Sequence, residues 1–263
     1  MSFLDLIKNF FTHKDFLPPA SEIPGTLFTP LHIIFSICVF ALVVVAMIIL
    51  TKTDEKRMKI TLTVLWAVVV SLEIIKLFWE MFAGREVGLF IQGDLPLYPC
   101  SIYLFVFPLA LWSKGLVKHA VGSYLCTLGT LGALVNFVYP ANVVGTYSCI
   151  SFAGSLTFFT HGVMLLSAAV ILLRREHSFT GIDSTAKLLV APIPTLIFSI
   201  PVNIFNFTVG ADYMFFKLDS FFLGDIFRDV PDEWSVVIMY VFYIALHTLP
   251  YLPSYISNKI KRV

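Results

Sequence analysis

From Leu31 to Leu50 the chain runs for twenty residues without a charged side chain, and His32 is the only imidazole among them. At 1.5 Å per residue, a helix of that length crosses a hydrocarbon core of about 30 Å. Apolar stretches of similar reach recur at Ile60–Phe82, Leu95–Trp112, Leu116–Val138, Ser151–Leu173, Leu188–Phe207 and Trp234–Leu252. The pattern predicts an all-α integral membrane helical bundle of about seven transmembrane helices. Pro96 and Pro99 open the third stretch, and Pro192, Pro194 and Pro201 lie in the sixth. Proline removes a backbone donor and bends or ends a helix, so these two are expected to be broken. Ahead of the first stretch, Phe3, Leu4, Ile7, Phe10 and Phe11 alternate with Asp5, Lys8 and Asn9. That spacing suits an amphipathic helix lying on the membrane surface, and equally a loosely held tail. No segment before Leu31 has the basic flank, apolar centre and cleavage site of a signal peptide. The expected organisation is an interfacial segment over residues 1–30, a transmembrane domain over 31–252 and a basic cytoplasmic tail over 253–263.

Composition removes the soluble alternative. Apolar residues make up 58% of the chain and charged ones 13%, with a mean hydropathy of +0.86, against about 45–50% and 25% in soluble domains. Of the eighteen Lys and Arg, twelve fall at alternate ends of the stretches: Lys52, Lys56, Arg57, Lys59, Lys114, Lys118, Arg174, Arg175, Lys187, Lys259, Lys261 and Arg262. Five (Lys8, Lys14, Arg85, Lys217, Arg228) fall at the other ends, and Lys76 lies inside the second stretch. Because cytoplasmic loops collect basic residues, the split predicts an outside N-terminus and a cytoplasmic C-terminus, as in a multi-pass protein of the cell membrane. Residues Thr208 to Glu233 form an outer loop rich in Asp and aromatics, either a cap over a cavity or an anchor at the headgroups. The net charge is +1, and no basic run or base-reading motif points to nucleic acid. Cys38, Cys100, Cys126 and Cys149 form no close pair, and no phosphate loop, dinucleotide fingerprint or HExxH pattern occurs. No metal site, disulfide framework or cofactor is expected.

Chemistry in such a chain is sought at polar groups placed inside the membrane, where they are costly. Glu73, Lys76 and Glu80 share one face of the second stretch, as a salt-bridge ladder or as active-site carboxylates. His161 lies about ten residues into the fifth stretch, about 15 Å deep. Cys100, Asn136, Asn203 and Asn206 fall at similar depth under the expected topology, so five helices offer polar groups to one outer layer. His247 lies deeper and reads as a packing histidine, while His32 either joins the layer or faces headgroups. Cys100 is the candidate nucleophile: the turn Pro99–Cys100–Ser101 places a thiol at a helix start, where backbone donors favour thiolate. His161 is the candidate base and Glu73 the group that orients its second nitrogen, a thiol–imidazole–carboxylate set. Ser101, Asn136 or Asn206 are candidate oxyanion donors, contacts worth about 3–4 kcal/mol in acyl transfer. Without partners Cys100 would be an ordinary packing residue, as Cys38 and Cys126 read; Cys149 is weakly placed for catalysis.

Leu95–Ile102 with its Tyr98–Pro99–Cys100 core, Phe107–Leu111, Gly129–Leu134, Phe159–Gly162, and Asn206–Phe207 running to Asp212–Phe215 resemble, in order and spacing, the YwaF-like bacterial membrane proteins, which are related to the animal transmembrane protein 164 family. Together with Glu73 these segments cover about Leu65 to Leu252. The resemblance implies a helical membrane bundle and, from the animal relatives, cysteine- and histidine-dependent acyl transfer to lysophospholipids, especially ether-linked phosphatidylethanolamine. It places the cysteine at Cys100 and the histidine at His161, and makes membrane lipids the expected partners. Asn206 matches a recurrent polar position of no assigned role. Bacterial relatives often carry histidine where this chain has Tyr98, a poor base with an ordinary pKa of about 10. The expected function is a membrane-embedded Cys/His acyltransferase acting on phospholipid or lysophospholipid acyl chains. Glu80, Tyr98, Ser101, Asn136, Asn203, Asn206 and Tyr213 are its expected substrate contacts. Two rivals stand beside it: a transporter or small-molecule receptor using Glu73, Lys76, His161 and the asparagines, and a noncatalytic scaffold in which the polar layer only joins helices.

Overall fold

The computed structural model describes residues 5, 9–84, 87–180, 184–218, 227 and 229–260, and the regular structure among them is helical. Helix α1 (Pro30–Lys52) starts where Thr29 accepts the His32 N–H at 3.4 Å and proline occupies the first turn, which a helix start tolerates. Two residues later Asp54 caps α2 (Glu55–Ala83) by accepting the Arg57 N–H at 2.9 Å. Helix α3 (Val87–Gly93) is followed by a 3-10 turn, Pro99–Ser101, and α4 (Ile102–Trp112). Next come α5 (Gly115–Tyr124), a π-helical turn (Leu125–Gly129), α6 (Thr130–Val138) and the one-turn α7 (Ala141–Val144). Helix α8 (Phe152–Leu173) precedes α9 (Thr185–Val190) and α10 (Ile193–Val209), the latter ended by Gly210 at φ +71°. Helix α11 (Asp232–Thr248) passes through a 3-10 turn, Leu249–Tyr251, into α12 (Leu252–Ile260).

Among the described residues six helical stretches are long and apolar enough to cross a membrane: Pro30–Lys52, Glu55–Ala83, Gly115–Val144, Phe152–Leu173, Thr185–Val209 and Asp232–Ile260. The chain is a multi-pass integral membrane protein. The third expected stretch forms a shorter apolar segment, Pro99–Trp112, whose α4 has 11 residues with Pro108 inside. Such a helix rises about 17 Å, well short of a hydrocarbon core. The sixth breaks at Ala191–Pro192, while Pro201 is accommodated within α10. In α1 the buried residues are His32, Ser36 and Leu50, whereas Ile33, Ile34, Ile37, Phe40 and Leu42 are exposed. A helix that turns its polar stripe inward and its apolar face outward is built for lipid.

By its contacts the chain forms two compact units. One comprises Met1–Phe90 and Thr130–Val170, the other Ile91–Gly129 and Ile171–Val263. In the first, described residues ahead of α1 hydrogen-bond to the helices and loops of the same unit. The Trp79 indole donates to the Phe11 carbonyl at 3.0 Å, and the Phe152 N–H to the Phe10 carbonyl at 2.9 Å. The Lys14 N–H donates to the Tyr147 hydroxyl at 3.1 Å, and the Leu27 N–H to the Val144 carbonyl at 3.0 Å. Deeper in this unit Phe35, Phe137 and Phe158 pack together. The second unit is cored by Tyr103, Phe107, Tyr124, Tyr213, Tyr243 and Tyr251, all fully buried or nearly so. Most of the expected amphipathic segment, Arg85, Arg228, Lys261, Arg262, and Asp219 to Ile226 of the acidic loop lie outside the described residues.

Candidate functional site

In the first unit the polar groups of α2, α6 and α8 form linked pairs. His161, half-buried on α8, donates from Nδ1 to the Thr157 carbonyl at 2.7 Å. A carbonyl only accepts, so Nδ1 carries a proton, and in the neutral ring Nε2 carries the lone pair. The Thr157 hydroxyl donates to Asn136 Oδ1 at 3.2 Å, which ties α6 to the same turn. The expected Glu73–His161 bond is replaced by one a residue earlier: the Thr160 hydroxyl donates to Glu73 Oε1 at 3.1 Å. Thus the main chain of α8, and not a carboxylate, sets the His161 tautomer. The i,i+4 geometry of a helix puts the Thr157 carbonyl next to the ring.

The Glu73–Lys76–Glu80 ladder does not form. Glu80 is buried near the C-terminal end of α2 and accepts from His13 Nε2 at 2.8 Å, while His13 Nδ1 accepts the Asp15 N–H at 3.3 Å, with Asp15 Oδ2 3.2 Å away. His13 is itself 4% exposed, so an imidazole is enclosed between two carboxylates. Sequence reasoning missed it, because a histidine in a polar N-terminal stretch carries no period. The one available signal was Glu80, an acidic group in a span that needed a donor from elsewhere. Lys76 is half-buried, near enough to His161 for its charge to be felt there.

The second unit holds Cys100. Pro99–Ser101 forms the expected turn immediately ahead of α4, with Ser101 and Pro99 buried and Cys100 half-buried. The Tyr124 hydroxyl donates to the Pro99 carbonyl at 3.0 Å, anchoring the turn on α5. Tyr98, Tyr124 and Tyr243 lie within electrostatic reach of the thiol. Asn206 serves as a clamp: Nδ2 donates to the Tyr213 carbonyl at 2.8 Å and Oδ1 accepts the Tyr213 N–H at 3.0 Å. Tyr213 then donates from its hydroxyl to the Ile91 carbonyl at 2.9 Å and accepts the Leu95 N–H at 3.0 Å. Burial pushes this hydroxyl up to about 12. Its ring lies 5.1 Å from that of Tyr98, whose own hydroxyl donates to the Gly93 carbonyl at 3.2 Å. Asn206 and Tyr213 therefore position the loop that leads into the Cys100 turn, while Asn203 is half-buried on α10.

The other histidines and thiols separate from this set. His247 is fully buried. Thr127 donates its hydroxyl proton to the Ser123 carbonyl at 2.7 Å, so it accepts from His247 Nδ1 at 2.6 Å; Nε2 then accepts from Thr195 at 2.7 Å. Both nitrogens are satisfied, as the packing reading expects. Cys126 and Cys149 are buried, and Cys38 is exposed on α1. Burial pushes the Cys149 thiol up to about 11, against its hydrogen bonds. Among the described residues no group of three or more His, Cys, Asp or Glu is placed to hold a metal ion. Cys100 belongs to the second unit, and His161 and Glu73 to the first. Compared with known proteins, the chain matches the TMEM164 family over residues 27–254. No curated protein and no solved structure matches it.

Proposed function

The chain belongs to the TMEM164 family, and on that premise we propose that it is a membrane-embedded thiol acyltransferase acting on phospholipid or lysophospholipid acyl chains. The reading assigns the nucleophile to Cys100 and the proton acceptor to His161. The observation that carries it is the His161 tautomer: with Nδ1–H donated to the Thr157 carbonyl, the neutral ring presents Nε2 as a base inside an apolar span. The start of α4 adds support, since Cys100 is the half-buried cysteine of the four and sits on a turn fixed by Tyr124.

In the first half-reaction the Cys100 sulfur bonds to the acyl carbon of the donor ester as its C–O bond breaks. The thiol proton passes through His161 Nε2 to the departing lysolipid oxygen. In the second, the acceptor hydroxyl gives its proton to His161, its oxygen bonds to the acyl carbon, and the C–S bond breaks as the proton returns to sulfur. General acid–base help of this kind contributes about 100-fold to 10,000-fold. Lipid product formation and acyl-enzyme trapping, measured for wild type, Cys100→Ala and His161→Ala, test the reading. Trapped acyl-enzyme is expected in wild type and absent from Cys100→Ala; full turnover by Cys100→Ala would sink the assignment.

The proposal extends to a YwaF-like membrane topology with seven crossings, Pro99–Trp112 being the shortest, an outside N-terminus and a cytoplasmic C-terminus. The distribution of the basic residues supports it. One observation favours a second reading, that of a binding or transport protein for an anionic solute. Lys76 makes no ion pair among the described residues, and an intramembrane cation in that state suits an anion. On that reading Lys76→Gln abolishes binding and Cys100→Ala leaves it intact.

A further inference from the structure

In the first unit two buried donors stand at one turn of α8 and find no acceptor among the described residues. His32 Nδ1 accepts the Phe28 N–H at 3.1 Å. A main-chain N–H only donates, so the His32 ring proton resides on Nε2, and Nε2 is buried with no hydrogen-bond partner among the described residues. Asn136 accepts the Thr157 hydroxyl on Oδ1, and its Nδ2 is likewise buried without a partner among them. His32 is 2% exposed and Asn136 8%. The His32 ring centroid lies 5.9 Å from that of Phe158, next in sequence to the Thr157 that holds Asn136. Beside them the Ser36 hydroxyl donates to the Phe137 carbonyl at 2.6 Å, fixing α1 on α6. A buried donor left without an acceptor costs about 1–3 kcal/mol, and folded proteins rarely leave one so.

We propose that this turn of α8 is a seat for the ester carbonyl of a membrane glycerolipid, received by His32 Nε2–H and Asn136 Nδ2–H. Both protein groups donate, so the occupant accepts. The surroundings are Phe28, Phe35, Phe137 and Phe158, where a full charge would be costly and a neutral carbonyl is not. The level in the membrane agrees: His32 is the third residue of α1, about 3 Å from its start, and Thr157 lies in the second turn of α8. Helix ends of this kind lie at the edge of the hydrocarbon core, which is where glycerolipid esters reside. His161 is one helical turn further along α8, so a carbonyl held here stands beside the proposed base. The inference deepens the acyl-transfer reading by naming the part of the substrate that is held. It rests on that reading only in taking the occupant to be a glycerolipid.

The test is thermal unfolding of the full-length protein in nanodiscs of diester phosphatidylethanolamine and of its diether analogue, matched in headgroup and chain length. Wild type is expected to unfold about 2–4 °C higher in the ester lipid, the shift that about 1 kcal/mol produces in a chain of this size. His32→Phe and Asn136→Leu each abolish the difference, and Cys100→Ala retains it. Equal midpoints for wild type, or a difference that persists in both variants, overturn the assignment. If either variant fails to fold, the wild type still decides: infrared spectra of isotope-labelled ester lipid contain a protein-dependent carbonyl band at lowered frequency, and its absence rejects the seat. A protein that transfers no acyl group yet gives the ester–ether difference keeps the seat and loses only the chemistry.

Discussion

What each histidine does is decided by the partners of its two ring nitrogens. His161 has one nitrogen on a main-chain carbonyl, whereas His247 has both on threonine hydroxyls and His13 has Nε2 on the Glu80 carboxylate and Nδ1 on the Asp15 main-chain N–H. His161→Ala is therefore expected to lower the proposed acyl transfer by about 100-fold or more while its unfolding midpoint stays near wild type. His247→Ala reverses the pattern: it empties a buried space and strands the Thr195 hydroxyl, costing about 2–4 kcal/mol, with activity per folded molecule retained. For His13 the expected cost of alanine is larger, about 3–5 kcal/mol, because it removes the imidazole from a buried carboxylate. Adding Glu80→Gln to His13→Ala should recover part of that loss in chemical unfolding. No recovery would mean that the His13–Glu80 contact contributes nothing.

At the scale of elements, the loop from Gly210 to Phe216 depends on α10. Met214 and Phe215 have φ of 66° and 54°, a left-handed conformation that costs of order 1–3 kcal/mol per residue and persists only when neighbours enforce it. Asn206 holds Tyr213 by both main-chain groups, and the Tyr243 hydroxyl donates to the Met214 carbonyl. Asn206→Ala is expected to lower stability by about 2–4 kcal/mol and to raise protease cleavage within Ala211–Phe216; unchanged cleavage would show that Tyr243 alone suffices. A second element-level link is the connection after α8, where His177 shares a 2.6 Å hydrogen bond with the Tyr251 hydroxyl and packs beside Gly122. Burial, with His119 and Lys118 nearby, pushes His177 down to about 4 from an ordinary 6.5. The unfolded chain thus binds the extra proton between these values, so stability falls as pH drops from 6.5 towards 4, by about 3 kcal/mol in all. Unfolding followed across that window should show the loss, and His177→Gln should flatten it. Little of this was legible in the sequence. The six long helices were, because apolar length is a local property, and so was the Pro99–Ser101 turn, because proline signals it. The partners were not: His13 finds Glu80 sixty-seven residues away, and the π-helical turn at Leu125–Gly129 lies in a run whose composition is that of an ordinary helix.

For the whole molecule, α4 decides the arrangement, because one short helix sets the parity of every crossing after it. On the proposed outside N-terminus, if Pro99–Trp112 crosses, Gly115–Val144 starts on the cytoplasmic side and the connection after Leu173 lies in the cytoplasm with Arg174, Arg175 and Lys187. If instead it enters and leaves by the same face, that connection and the N-terminal segment share the outer side, and the basic residues there contradict the usual charge rule. An 11-residue helix with a proline inside satisfies the rule only if the bilayer thins or the adjoining 3-10 turn and loop complete the path; mismatch of this kind costs fractions of a kcal/mol per Å. Ser21 and Ser178 are exposed and stand on opposite sides in the first case and on the same side in the second. A membrane-impermeant maleimide applied from outside to intact cells is expected to label Ser21→Cys and to label Ser178→Cys only after permeabilisation. Equal labelling of both before permeabilisation would reduce the crossings to six and invert the side assigned to every helix from α5 onward.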